Sequence, residues 1–67
     1  MQYTIMIQYD KTDGIYIASI PELPGCVAHG KTRESALREV SLVYEMWVEE
    51  AKELGKPIPE PSLFVPA

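Results

Sequence analysis

Ser19-Ile20-Pro21-Glu22-Leu23-Pro24-Gly25-Cys26-Val27-Ala28-His29-Gly30-Lys31-Thr32 decides how the rest of the chain must fold. The stretch holds two of the six prolines and two of the four glycines. Pro21 has no N–H for a sheet ladder, so it ends the strand before it or sits on an edge. Pro24-Gly25 is a turn signal, because proline presets φ and the glycine beside it accepts φ > 0. Cys26–His29 then reads as a short strand. Gly30 breaks that strand, and Thr32 is placed to cap a following helix.

Upstream, Tyr3–Tyr9 alternates with period two. Tyr3, Ile5, Ile7 and Tyr9 share one face, which predicts a strand with one well-buried side. Asp10–Gly14 is a turn cluster, and Asp13-Gly14 is a hairpin signal. Ile15–Ile20 is the return strand. Tyr16, Ala18 and Ile20 oppose Ile15, Ile17 and Ser19, so both faces carry apolar groups, as suits a central strand.

Downstream, Ala36, Leu37, Val40, Val43, Tyr44, Trp47, Ala51 and Leu54 recur at spacings of three and four, one face of a helix over Thr32–Leu54. Glu34 puts negative charge in the first turn. Gly55 supplies the stop and Pro57 prevents continuation. Glu39, Glu45, Glu49, Glu50, Lys52 and Glu53 form a solvated face. Leu42, Met46 and Val48 fall outside the main stripe, so the apolar arc is wider than one sheet face needs. Ile58–Pro61 reads as an extended, polyproline-like segment. Leu63, Phe64 and Val65 are apolar and β-prone; they predict a short C-terminal strand on the edge of this sheet or of a neighbour's.

The 67 residues make one domain, 1–67, of α+β class. A chain this short buries only ~60% of its unfolded surface, which leaves a lone core marginal. One cysteine cannot form an internal disulfide. Self-association as a homodimer or homotetramer is therefore expected, with Leu42, Met46, Leu63, Phe64 and Val65 as the candidate interface. The net charge of −4 argues against direct nucleic-acid binding, which needs clustered Lys and Arg. The same charge suits a basic protein partner. Nothing resembles a signal peptide or approaches the ~20 apolar residues of a membrane span, so a cytoplasmic chain is expected.

Catalysis and cofactor binding are not expected. Cys26 and His29 lie three apart in a strand and so point to opposite faces, out of reach of each other. Two ligands would also leave a zinc site half built. Asp10 and Asp13 sit in a turn, and the glutamates line an outer helix face, so no carboxylates converge on a two-metal centre. Gly25, Gly30 and Gly55 are separate punctuation, not a phosphate-binding loop.

Three runs carry a family resemblance: Asp13-Gly14-x-Tyr16, Ile20-Pro21-Glu22-Leu23-Pro24-Gly25-Cys26, and Gly30-x-Thr32-x-Glu34-x-Ala36-Leu37. With Gly55-x-Pro57-Ile58-Pro59-x-Pro61, they resemble the HicB-like antitoxin family over nearly the whole chain. Lys31 and Ser35 stand where that family often has acidic residues. The resemblance implies a βββαβ fold, a three-stranded antiparallel meander with one long helix and a short last strand, like a truncated ribonuclease H core. It implies a non-enzymatic antitoxin that occludes a HicA-type toxin, a small ribonuclease that cleaves mRNA. Longer relatives carry a C-terminal DNA-binding domain; this chain stops near Pro61–Ala67, so that role is expected to be absent. Pro21, Glu22, Pro24 and Gly25 are the candidate partner-binding residues, because two prolines lower the entropy lost on binding. The alternative is an orphan homo-oligomeric ligand-binding or scaffolding module with no toxin.

Overall fold

The computed structural model describes residues 3–60. Strands β1 (Met6–Asp10), β2 (Ile15–Ser19) and β3 (Val27–Gly30) precede one long helix, α1 (Arg33–Glu53). The strands form an antiparallel sheet in the order β1-β2-β3. This is the expected meander with β2 in the centre. Leu63–Val65, the expected last strand, lies outside the described residues.

Turn chemistry fixes the register. The Asp10 carboxylate accepts from the backbone N–H of Thr12 at 3.0 Å and of Asp13 at 3.4 Å. Gly14 takes φ of +65° and donates its N–H to the Asp10 carbonyl at 2.8 Å. The return strand then pairs Ile7 with Ala18 and Tyr9 with Tyr16. Gly25 likewise takes φ of +80°, as the Pro24-Gly25 signal requires.

The helix starts and ends where the sequence placed its signals. Thr32 is the N-cap in a reciprocal capping box: its hydroxyl accepts from the Ser35 N–H, and Ser35 Oγ accepts from the Thr32 N–H, both at 3.0 Å. Ser35 thus fills the box position where an acidic side chain is the usual choice. At the other end Gly55 N–H reaches the Lys52 carbonyl and Lys56 N–H the Ala51 carbonyl, a Schellman stop.

The core is small: Ala18, Ile20, Leu23, Cys26, Ala36 and Val40 are buried together. Tyr3, Ile5, Tyr16, Ala28, Val43, Tyr44 and Trp47 pack around them. α1 lies over β3 and β2 and scarcely touches β1. Small residues explain this offset. A side chain on Gly30 would place its Cβ 2.3 Å from Ser35 Oγ and 2.6 Å from the Ala36 nitrogen. Gly30 therefore belongs to β3 instead of breaking it, because only glycine admits the helix so closely.

Two expectations are corrected by that offset. The β1 face of Ile7 and Tyr9 is not well buried; these residues are 37% and 59% exposed. On the helix stripe, Leu37 and Leu54 are 42% and 59% exposed. Both sets lie beyond the helix footprint. β1 itself begins at Met6, later than the Tyr3 start expected from alternation.

The proline loop and its hollow as a candidate binding site

Pro21–Gly25 is a closed knob. Leu23 N–H donates to the Ile20 carbonyl and Cys26 N–H to the Leu23 carbonyl, each at 3.0 Å. Ile20 N–H returns to the Cys26 carbonyl at 3.0 Å, so the loop's two ends are tied. Leu23 is 1% exposed and pins the loop to the core from inside. This anchor was missed in the sequence, where Leu23 stood among turn residues with no periodicity to mark it.

The expected binding residues divide. Pro21, Pro24 and Gly25 are exposed at the tip. Glu22 is half-buried, and its carboxylate accepts from the Thr4 backbone N–H at 3.2 Å. Glu22 thus ties the segment before β1 to the loop. The Pro24 carbonyl accepts from the Trp47 indole at 2.8 Å, so the helix holds the loop from the other side.

Beside the loop opens a hollow of about 430 Å³, lined chiefly by Pro24, Trp47, Leu54, Pro57 and Pro59. Glu50, Ala51 and Lys56 complete its lining. The Schellman stop turns the chain back, and the Tyr3 hydroxyl holds the Pro59 carbonyl. Burial, together with Tyr44, Glu22 and Glu60, raises the Tyr3 phenol pKa above its ordinary value. Trp47 is the sequence signal for the hollow, but its place on the core stripe pointed inward.

Leu42 and Met46 are 50% and 60% exposed, four residues apart on the opposite side of α1 from Leu37. Leu63, Phe64 and Val65 lie outside the described residues. Cys26 is buried, which raises its thiol pKa, whereas His29 is exposed on the sheet face away from the helix. Among the described residues no three His, Cys, Asp or Glu side chains gather as a metal site. No described helix is long and apolar enough to cross a membrane.

The model of a HicB-like antitoxin of bacterial toxin-antitoxin systems matches residues 3–65. A UPF0150 protein of Thermoplasma acidophilum is 37% identical over 59 residues, covering 88% of this chain and 84% of its own. A UPF0150 protein of Synechocystis is 39% identical over 59 residues, covering 88% of this chain and 80% of its own. Another from Synechocystis is 32% identical over 63 residues, covering 94% and 78%. No solved structure matches.

Proposed function

Because the chain belongs to the HicB-like antitoxin family, we propose that it binds and neutralises a small mRNA-cleaving ribonuclease toxin of the HicA type. Inhibition is by occlusion, with no chemistry performed by the antitoxin. The observation that carries the reading is the family match over residues 3–65, which spans every element of the fold. A toxin that grips RNA presents a basic surface, and this chain's net charge of −4 complements it. Such complementarity acts mainly on association rate and partner choice.

The exposed tip of Pro21, Pro24 and Gly25, with the hollow beside it, is the contact surface in this reading. Its backbone is held at both ends and from the helix, so little freedom is lost on binding. Leu54 and Pro57 offer apolar area, and Glu50 offers charge at the rim. The antitoxin works as a homodimer or homotetramer in the cytoplasm, where mRNA is found. Leu63–Val65 would complete the sheet as its short last strand, giving the truncated ribonuclease H-like form.

The test is co-expression with any small basic protein encoded beside this gene, followed by RNA-cleavage assay of the purified pair. We expect a stable complex and loss of cleavage. Leu54→Arg and Glu50→Lys should weaken inhibition ~10-fold or more while leaving the Tm nearly unchanged, since both side chains are exposed. A neighbouring ribonuclease that neither binds nor is inhibited would turn the reading to the orphan module.

A further inference from the structure

We propose that the hollow beside the proline loop takes one arginine side chain of a basic protein partner, laid along Trp47 with its guanidinium at Glu50. This rests on the reading that a basic toxin docks at the loop tip, and it names the chemistry that the hollow selects.

The walls supply the first argument. Pro24 comes from the loop, and Trp47, Glu50, Ala51 and Leu54 come from one side of α1, at spacings of three and four. Pro57 and Pro59 come from the segment after the helix. The Trp47 indole N–H is taken up by the Pro24 carbonyl at 2.8 Å, so the ring offers the hollow carbon surface and no donor. At about 430 Å³ the hollow stands near the small end of ligand-sized clefts, ~300–1,000 Å³, with room for one long side chain rather than a stretch of chain. Its walls are fixed before any partner arrives. The Trp47–Pro24 bond holds loop to helix, and the Tyr3 hydroxyl holds the Pro59 carbonyl, so little order has to be imposed on binding.

The second argument is charge. Glu50 is exposed in the lining, Glu53 stands one turn further along α1, and Glu60 follows Pro59. Against these three acids the lining sets one cation, Lys56. The surroundings of the mouth are therefore acidic while the walls are apolar and aromatic. Arginine meets both conditions at once. Its guanidinium is planar and weakly hydrated, it stacks on an aromatic face, and its fork matches a carboxylate. A lysine ammonium is a strongly hydrated point charge and gains less from the indole. A neutral apolar side chain would fill the walls and leave the acid at the mouth without a partner.

The experiment titrates the nitrogen-15-labelled full chain with N-acetyl-arginine methylamide and follows the Trp47 indole N–H resonance by NMR. Trp47 is the only tryptophan, so that resonance needs no further assignment. The matching lysine, citrulline and norleucine amides are the comparison probes. We expect the arginine probe to saturate with a Kd of roughly 1–10 mM. The other three probes should each bind at least ~3-fold more weakly. Glu50→Gln should weaken the arginine probe ~5-fold. Glu45→Gln, the same charge change about 200° round the helix from Trp47, should leave it within ~1.5-fold. A norleucine probe that binds as tightly as arginine makes the hollow an apolar socket and overturns the proposal. So does a lysine or citrulline probe that matches arginine, a Glu50→Gln titration that matches wild type, or no saturation by the arginine probe below ~50 mM. The titration contains no toxin, so its failure strikes the arginine site alone, and the antitoxin reading is decided by the co-expression test.

Discussion

The two sides of the sheet differ in how close the helix comes, and the smaller residues win. On the β3 side stand Ala28, Gly30 and, across from them, Ala36; on the β1 side stand Ile7 and Tyr9. By residue type the β1 side is the better core. Yet Ala36 is fully buried and Ala28 and Gly30 are half-buried, while Ile7 and Tyr9 are 37% and 59% exposed. Large side chains hold a helix away from a sheet, whereas small ones let backbone approach backbone and gain contact on all sides. The helix follows its smallest neighbours, and Tyr9 and Tyr16 pack on one another as a tilted pair instead. The Tyr9 and Tyr16 rings lie 5.1 Å apart, with Arg33 over Tyr16 at 5.4 Å.

Breaking the close side should cost most. Leu23→Ala empties a fully buried site and should cost ~2–5 kcal/mol, read from urea unfolding. Gly30→Ala should cost ~1–3 kcal/mol, because its Cβ meets the helix backbone and overpacking is relieved only by moving α1. For a domain of this size each ~1 kcal/mol lowers the Tm by ~4–8 °C. On the open side, Ile7→Thr should cost under ~1 kcal/mol, since the exposed part of the side chain loses little. If Ile7→Thr costs as much as Gly30→Ala, the helix is not placed by the small residues.

The smallest effect is a pH dependence that distinguishes the same two sides. Cys26, on the close side, has its thiol pKa raised by burial; Tyr3, on the open side, has its phenol pKa raised. Both groups hold their protons longer in the folded state than in the unfolded one. Their favourable contribution is therefore complete at neutral pH and lost as pH rises. For Cys26 the loss begins above the free-thiol value of ~8.5, and for Tyr3 only above ~10. Cys26→Ala should flatten the fall in stability near pH 9, measured by urea midpoint against pH, and Tyr3→Phe should leave that region unchanged.

Punctuation was legible in the sequence, and distance was not. Asp13-Gly14, Pro24-Gly25, Thr32 and Gly55 act through a residue's own backbone preferences, and each sits where local chemistry placed it. The order of elements and the central place of β2 followed from them. The exposure of Leu37 and Leu54 did not, because periodicity gives a helix face without saying how far across the sheet that face extends. Leu23 escaped for the converse reason: a lone apolar residue between turn formers has no period. At the candidate site, the exposed prolines were readable from loop chemistry. The bonds from Trp47 to Pro24, Glu22 to Thr4 and Tyr3 to Pro59 join residues far apart in the chain, and no local signal marks them.

Trp47 is the only tryptophan, and its indole nitrogen is committed to the carbonyl of Pro24 at 2.8 Å. Indole emission responds to hydrogen bonding and to the polarity around the ring. The chain thus carries an intrinsic optical reporter wired to the loop tip, with the hollow as its solvent window. A ligand that seats between Pro24 and Leu54 must dry one face of that ring and shift its emission to shorter wavelength. One unlabelled fluorophore thus reports occupancy of the loop directly.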